Sequence, residues 1–413
     1  MFRSTSIFTI VFSVLIVFSL AASGGPICVS DDFESGSLGS WHLEDDTHLV
    51  VVPRRDFDQD SVNTSTCWFH GKLSNVLERE VTIQFAGLEY GVYNGKRGNT
   101  LPFCRNTVTM FSYDREHWQR FSNAAFDSTS ETYIMSQIFS RDSVWIAYTI
   151  PYTLSQLEAF LATVGNHPAV SVSTYGHSVQ GRPLYMVDVV EPGPGAAIRP
   201  TVWIIARQHS FESGGTWAVQ GLLEFISSDH PEAAAIRQQL NFRLCPMVNP
   251  DGVTAGGSRF NARGVDLNRH WHASDPLSRN LEMAPETALL KRAMTRAKKA
   301  GKLDLWINIH NNDMVWNEDG DYVRFGPLSK EKEAHRMENL LRQELVYTGS
   351  FEGPRNEYST DAVVGAEYGC LVLLMEMKTG YLDSLQRWTG KDIFLSYGPG
   401  LARAASRYFQ PTE

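Results

Sequence analysis

The chain has 413 residues, of which 43% are hydrophobic and 20% are charged, and its formal net charge is −9. This length and composition are typical of a globular protein with two domains, each large enough to bury a core. The acidic balance lacks the Lys/Arg excess that nucleic-acid binding requires, so we exclude a nucleic-acid partner.

The first 24 residues have the composition of a secretory signal peptide. A single positive charge at Arg3 precedes an almost unbroken apolar run over 7–20, and small residues follow at 21–25. An uncleaved membrane anchor is the alternative, but the run is shorter than the ~20 residues that a membrane span needs. We therefore predict a signal peptide at 1–24, a secreted, periplasmic or extracellular location, and no stable membrane association after cleavage.

Residues 28–151 have the pattern of a β domain. Short runs rich in β-branched and aromatic residues alternate with clusters of Gly, Asn, Asp and Ser, and no long helical periodicity intervenes. Several short strands separated by turn residues predict an antiparallel β-sandwich. The predicted strands include 48–52, 81–85, 107–111 and 143–148.

Residues 152–413 have an α/β pattern. Near-continuous apolar runs predict buried strands, and amphipathic segments between them predict helices, which together indicate a mixed, mostly parallel sheet covered on both faces. Thr153 is the expected N-cap of the first helix. The predicted strands are 201–206, 242–248, 305–309 and 371–375, and the predicted helices are 153–164, 216–226, 285–300, 329–345 and 401–409.

The five cysteines do not have the spacing of a metal-binding finger. Cys67 and Cys104 lie in the same N-terminal region and would bridge in an oxidising compartment, whereas Cys245 and Cys370 lie in apolar runs and are expected to be buried thiols. The fifth cysteine is Cys28. Because five is an odd number, at least one of the five is unpaired or intermolecular, and the pairing stays open.

Polar residues that suit a metal follow the strand at 201–206. His209 and Glu212 are three residues apart in the turn that leaves this strand, so an imidazole and a carboxylate can face one point. Catalytic zinc typically has three such protein ligands and one open position. Taken alone, this pair is equally typical of an ordinary surface contact.

Three further segments carry candidate functional residues. Arg259, Asn268 and Arg269 lie on predicted loops after a turn at 249–252, where two arginines and an asparagine suit a carboxylate. His310 lies at the carboxyl end of a predicted strand, where α/β sheets place their sites. Glu376 lies in an apolar strand, where a carboxylate must be paired or functional because its burial alone is costly.

In this order, the motifs resemble those of zinc carboxypeptidases of the pancreatic carboxypeptidase A superfamily. The motifs are His-x-x-Glu at 209–212, Asn-Pro-Asp-Gly at 249–252, Arg259, Asp-x-Asn-Arg at 266–269, His310 and Glu376. The segment 175–184 resembles the opening strands of that catalytic domain. Segments 32–39 and 146–153 resemble the two ends of the β-sandwich that precedes it in the cytosolic carboxypeptidase branch, so the resemblance covers nearly the whole chain after residue 28.

The resemblance implies a role for each matching residue. It implies one zinc ion per chain, bound by His209, Glu212 and His310, and it makes Asp266 the residue that orients a ligand histidine. Glu376 would be the general base, Arg259 would stabilise the oxyanion, and Asn268 with Arg269 would bind the substrate's terminal carboxylate. The implied activity is hydrolysis of C-terminal peptide bonds, with a peptide or protein C-terminus as the partner.

Some positions depart from the family pattern or leave alternatives open. The family's mobile-loop tyrosine corresponds here to Phe351, Tyr358 or Tyr347, and Phe211 stands where the family often has Arg or Gly. The residue that selects the side chain falls near Thr360, which favours neither a basic nor an acidic pocket.

Two other functions remain open: an amidase for isopeptide, γ-glutamyl or cell-wall peptide bonds with the same zinc site, and a catalytically inert binding protein. The sequence leaves open the physiological substrate, the oligomeric state and the role of the sandwich.

Overall fold

The computed structural model describes residues 25–93, 95–97, 107–271, 281–312, 322–345, 349–353 and 360–411. The predicted signal peptide at 1–24 and Cys104, with its predicted bridge to Cys67, therefore lie outside the described residues. Within the described part of the chain, no helix is both long and apolar enough to traverse a membrane. Cys245 and Cys370 are buried thiols, as predicted, and burial raises the pKa of both.

The N-terminal domain contains two five-stranded sheets with a shared hydrophobic core between them. Their orders are β1-β6-β14-β10-β11 and β12-β13-β7-β3-β2, and β4, β5, β8 and β9 form a small third sheet. The strands are β1 Cys28–Ser30, β2 Ser40–Leu43, β3 His48–Val52, β4 Asp56–Phe57, β5 Thr64–Ser65, β6 His70–Ser74, β7 Glu80–Phe85, β8 Val92–Tyr93, β9 Lys96–Arg97, β10 Met110–Ser112, β11 Trp118–Arg120, β12 Asn123–Asp127, β13 Thr132–Ile138 and β14 Ser143–Ala147.

The prediction of an antiparallel β-sandwich is confirmed, with local differences. One pair of strands, β3 with β7, is parallel, and His48 lies opposite Thr82. The strand predicted at 107–111 begins only at Met110. Alternating burial along β7 explains why its position was predictable, because period-two burial is the mark of a strand with one face in the core.

The C-terminal domain contains an eight-stranded mixed sheet in the order β15-β16-β18-β17-β19-β22-β20-β21. Its four central strands β18, β17, β19 and β22 are parallel, and the flanking pairs β15–β16, β16–β18 and β20–β22 are antiparallel. The strands are β15 Val170–His177, β16 Pro183–Val189, β17 Thr201–Ala206, β18 Asn241–Cys245, β19 Leu305–Asn312, β20 Tyr322–Gly326, β21 Ser350–Glu352, β22 Leu371–Lys378, β23 Tyr381–Leu382 and β24 Arg387–Trp388, of which the last two form a separate hairpin.

Helices cover both faces of this sheet, as predicted. They are α1 Leu154–Val164, α2 Ser213–Ile226, α3 Pro231–Gln239, α4 Pro250–Thr254, α5 Pro285–Lys299, α6 Glu331–Glu344, α7 Thr360–Tyr368 and α8 Lys391–Tyr408. Buried residues of α1, α2, α3, α6 and α8 share one hydrophobic cluster, whereas those of α5 and α7 belong to another. Thr153 caps α1 in a capping box with Gln156, as its predicted N-cap role requires.

Several predicted segments differ from the structure, and two of these differences have identifiable physical reasons. The predicted helix at 401–409 begins ten residues earlier, at Lys391, because Pro399 is tolerated inside α8 and Gly398 packs against another helix. The segment at 249–252 is not an isolated turn, since Asn249 accepts a hydrogen bond from the Gly252 N–H and begins α4.

Close contact between α2 and α8 fixes the packing of α2, the helix that directly follows Glu212. A Cβ added at Gly398 would lie 2.0 Å from the Leu222 nitrogen, and one added at Gly221 would lie 2.0 Å from the Leu395 oxygen. The two backbones therefore touch at a crossing that only glycine permits.

The Gly398→Ala substitution is expected to force α2 and α8 apart and to lower the free energy of unfolding by about 3 kcal/mol or more, the upper range for overpacking. Urea titration measures this loss. Ser396→Ala, at an exposed position of the same helix, is the control. Equal midpoints for the two variants would contradict the proposed close crossing.

Glu286 makes stability depend on pH. Its carboxyl group is fully buried at the start of α5, where it accepts hydrogen bonds from the Asn261 side chain and the Val179 N–H. Burial, assisted by the nearby charge of Asp251, raises the pKa of Glu286 from 4.5 to about 7 despite these hydrogen bonds.

Because the folded-state pKa exceeds the unfolded one, this contribution to stability is complete below pH 4.5 and is lost as the pH rises through 7. We expect the Glu286→Gln variant to lack this decline, which amounts to at most about 3 kcal/mol in the wild type. Urea unfolding between pH 5 and 8 measures it, with the exposed Glu331→Gln as control. Parallel pH profiles for wild type and Glu286→Gln would contradict the assignment.

Candidate metal centre

The first two candidate ligands lie in the turn between β17 and α2. The strand ends at Ala206, and Arg207 has a φ of 64°, a left-handed conformation that turns the chain sharply. The Arg207 side chain is buried, and its Nε donates a hydrogen bond to the Ser210 carbonyl oxygen at 2.7 Å. This hydrogen bond within the turn stabilises it and holds His209 and Glu212 at the carboxyl edge of the sheet.

The three predicted metal ligands converge on one point. His209 Nδ1 lies 2.8 Å from Glu212 Oε1, and His310 Nδ1 lies 2.8 Å from Glu212 Oε2. One potential ligand atom from each of the three residues lies within 4.8 Å of the others, and all three side chains are buried. Parallel pairing of β17 with β19 brings His310 to the edge where the His209 turn begins.

The electrostatics of this cluster favour a cation. Burial by itself would raise the pKa of Glu212, but the charges of His209 and His310 and their hydrogen bonds lower it to about 2. Burial lowers the pKa of His310, against the opposing effect of Glu212. Metal binding requires an ionised carboxylate and a neutral imidazole, and the lowered pKa values of Glu212 and His310 favour these forms in those two residues. Two nitrogens and one carboxylate oxygen are also a donor set that catalytic zinc accepts, so these residues fit the ion.

The far side of each histidine ring has its own partner. His209 Nε2 lies 3.2 Å from Asp266 Oδ1, and His310 Nε2 lies 3.2 Å from Gln208 Oε1. Contacts of this kind fix the tautomer and the direction of a ligand histidine. Our sequence reasoning identified Asp266 but missed Gln208. The only feature of the sequence that could have indicated a role for Gln208 was its position beside His209, directly after a fully buried strand.

Asp266 connects two of the predicted site residues. Its Oδ2 accepts hydrogen bonds from Arg259 Nε at 2.8 Å and Nη2 at 2.7 Å, while its Oδ1 faces His209. Burial would raise the pKa of Asp266, but Arg259 and His209 hold it well below its usual range. The carboxylate therefore fixes the Arg259 guanidinium and the His209 ring relative to each other.

Asn268 and Arg269 lie in the same loop, close to the start of α7. The Thr360 hydroxyl donates a hydrogen bond to Asn268 Oδ1 at 2.6 Å, and Gln208 Nε2 in turn donates to the Thr360 oxygen at 3.3 Å. Thr360 is fully buried, so it orients Asn268. Burial lowers the pKa of Arg269, whereas the charges of Asp266 and Asp361 oppose that change.

Glu376 lies directly beside His310 in the sheet. The two residues are opposite each other in the parallel pair β19–β22, and Tyr322 is opposite Glu376 on its other side. Residues in register on adjacent strands share one face, so Glu376 lies next to the metal cluster. It is half-buried, unlike the apolar residues that surround it in β22.

The structure describes one of the three residues that were candidates for the position of the family's mobile-loop tyrosine. Tyr347 and Tyr358 lie outside the described residues. Phe351 belongs to β21, where its ring stacks on Phe325 with centroids 5.4 Å apart. Phe351 therefore packs at the edge of the sheet and is not placed on a loop.

Comparison with known proteins relates both domains to described families. The model of the "Zinc carboxypeptidase" family matches residues 157–398, and that of the "Cytosolic carboxypeptidase N-terminal domain" matches residues 29–149. Among curated relatives, mouse cytosolic carboxypeptidase 6 is 26% identical over 352 residues, which are 80% of this chain and 61% of that protein. Cytosolic carboxypeptidase 2 of Macaca fascicularis is 35% identical over 270 residues, 58% of this chain and 30% of that protein.

The chain thus spans less than two thirds of the length of these relatives. Their names, and the family of the N-terminal domain, point to the cytosol, so the predicted secreted or periplasmic location is wrong. The comparisons also give no support to the signal peptide. An apolar run that ends in small residues reports only hydrophobicity, which was too little to establish export.

Solved structures share the fold over almost the entire chain. A metallo-carboxypeptidase from Burkholderia cenocepacia has a TM-score of 0.79 at 24% identity, covering 93% of this chain and 98% of that one. A metallo-carboxypeptidase from Pseudomonas aeruginosa has a TM-score of 0.75 at 22% identity, covering 92% of this chain and 98% of that one. At these identities the likeness establishes the fold, and the match of the family model to residues 157–398 establishes the kinship. The chain belongs to the zinc carboxypeptidase family.

Proposed function

We propose that the chain is a metallocarboxypeptidase that hydrolyses C-terminal peptide bonds with one zinc ion, bound by His209, Glu212 and His310. The observation that carries this proposal is the convergence of the two Nδ1 atoms on the Glu212 carboxylate, with Glu376 beside His310. When bound there, zinc supplies a Lewis acid and lowers the pKa of a water molecule towards ~7.

Glu376 is the proposed general base. Its carboxylate takes a proton from the attacking water and later delivers it to the nitrogen of the leaving amine. Its position on β22 beside His310 supports this role, because it lies next to the three candidate metal ligands. The residue is half-buried, which is consistent with contact to a substrate.

The arginines and Asn268 bind the substrate. Arg259, held by Asp266, stabilises the negative charge that develops on the carbonyl oxygen. Asn268, oriented by Thr360, and Arg269 bind the terminal carboxylate, which restricts cleavage to the end of a chain. The proposal includes a division of the chain into a sandwich at 28–151 and a catalytic domain at 152–413, supported by their largely separate hydrophobic clusters.

The Glu376→Gln substitution is expected to lower kcat by about 10²–10⁴-fold, because it removes the proton acceptor and leaves the metal ligands intact. The assay uses zinc-loaded full-length protein and peptides with varied C-terminal residues, including α- and γ-linked glutamate. The exposed Glu224→Gln is the control. Chelation should abolish activity and zinc should restore it.

The same panel separates the alternatives. If the protein cleaves only the γ-linked peptides, the proposed carboxypeptidase activity is wrong and the amidase alternative takes its place. If wild type and Glu376→Gln are equally silent on every peptide, the protein is no enzyme of this kind and the inert binding protein stands.

Asp266→Asn is expected to weaken zinc binding about 10–100-fold, because the neutral amide orients His209 less firmly. Competition with a chromogenic chelator measures the affinity. Asp188→Asn is a matched control, since Asp188 also accepts two hydrogen bonds from an arginine, Arg243, but lies outside the site. Unchanged affinity in Asp266→Asn would contradict the orienting role.

A further inference from the structure

The N-terminal sandwich contacts the loop that carries Arg259. This loop, residues 255–264 and here called the Arg259 loop, connects α4 to the segment that contains Asp266. Arg54 of the sandwich donates hydrogen bonds to the carbonyl oxygens of Ala255 at 2.9 Å and Gly256 at 2.8 Å. At the other end of the loop, the Gln59 N–H donates to the Gly264 carbonyl oxygen at 3.1 Å.

Glycines at both ends of the loop allow this close approach. Gly256 has a φ of 61°, and a Cβ there would lie 2.5 Å from the Gly36 oxygen. Gly264 has a φ of 74°, and a Cβ there would lie 2.5 Å from the Gln59 nitrogen. Both the left-handed backbone and the lack of space require glycine, so the loop is fitted against the sandwich at two points.

Asp56, in β4 of the sandwich, binds the loop at Arg259 itself. Its Oδ2 accepts hydrogen bonds from the Ser258 N–H and, at 3.1 Å, from the Arg259 N–H. The Asp56 side chain is only 14% exposed. A largely buried carboxylate that accepts two successive backbone N–H groups is a strong, charge-assisted anchor.

Ser258 extends the contact to the metal-binding turn. Its hydroxyl lies 2.8 Å from Ser65 Oγ and accepts the Cys67 N–H of the sandwich. Its carbonyl oxygen accepts the N–H of Phe211 at 3.0 Å. Phe211 lies between His209 and Glu212, and its ring packs into the sandwich core. The sandwich therefore contacts both the Arg259 loop and the turn that carries two metal ligands.

We infer that Asp56 is a positioning residue for the reaction, through which the N-terminal sandwich fixes the backbone of Arg259 and so aims its guanidinium at the developing oxyanion. The inference rests on the proposed function, because it assigns Asp56 an effect only through Arg259. The side chain of Arg259 is already bound at its Nε and Nη2 by Asp266, so Asp56 and Asp266 fix the two ends of one residue.

The physical reason is preorganisation. A donor stabilises the transition state fully only if it already lies where the charge develops, and a misplacement of about 1 Å can cost as much as about 100-fold in rate. Loss of the Asp56 anchor would let the loop move without removing any group that binds zinc or substrate. The effect should therefore fall on kcat, while KM and zinc affinity change little.

The test combines Asp56 and Arg259 in a double-mutant cycle, measured on zinc-loaded full-length protein with the best peptide of the panel. Asp56→Ala should lower kcat about tenfold with KM within about twofold, and Asp56→Asn, which keeps an acceptor oxygen, should recover most of the loss. In the Arg259→Ala background, Asp56→Ala should change kcat less than about twofold, because the group it positions is gone. Asp45→Ala is the matched control, since Asp45 accepts the successive N–H groups of Thr47 and His48 within the sandwich alone.

If the reductions in kcat caused by Asp56→Ala and Arg259→Ala multiply in the double variant, the inference is overturned and the proposed function still stands. Full activity of Arg259→Ala would overturn the inference and the oxyanion role proposed for Arg259, whereas silence of the wild-type protein on the whole peptide panel would overturn the proposed function itself. Amide hydrogen exchange supplies a readout besides activity: Asp56→Ala should raise exchange within residues 255–264, and Asp45→Ala should not. Unchanged exchange there in Asp56→Ala would equally count against the inference.

Discussion

Burial of the Glu212 carboxylate between two imidazoles is the constraint on which the rest of the site depends. A charge at this depth is tolerable only with compensating partners, and His209 and His310 supply them at 2.8 Å from its two oxygens. The three side chains come from a turn and from a neighbouring strand. The parallel register of β17 and β19 must therefore be correct before the cluster can form. A bound dication would replace this mutual compensation with a stronger one, because it would attract all three donors at once.

An outer layer of polar residues keeps these ligands in place. Asp266 and Gln208 each contact the Nε2 atom of one histidine, and each also contacts a second group of the site. Asp266 also binds Arg259, and Gln208 also contacts Thr360, which orients Asn268. The metal centre and the proposed substrate-binding groups are thus joined by hydrogen bonds, so a change in one should be felt by the other.

The sandwich contributes to the same arrangement from outside the catalytic domain. Phe211 anchors the turn that carries the candidate ligands His209 and Glu212 in the sandwich core, and Asp56 anchors the Arg259 loop. The two domains therefore share structural elements instead of merely touching. Through this sharing, the inferred effect of the sandwich on the reaction needs no catalytic residue in the described part of that domain, since preorganised backbone positions contribute to catalysis.

The sequence by itself determined the fold class, the positions of the central strands and the candidate site residues. Strand periodicity is local, so β3 and β17 were predicted to the residue. The motif order carried the resemblance that named His209, Glu212, His310 and Glu376. Only the tertiary structure decided which groups support these residues. Gln208 and Asp56 have no motif, and the sequence placed Thr360 only near the specificity position, because their supporting roles arise from contacts between segments up to about 200 residues apart. The length of α8 was likewise decided by packing. In the sequence Gly398 has the character of a helix breaker, but in the structure it is the residue at which α8 packs against α2.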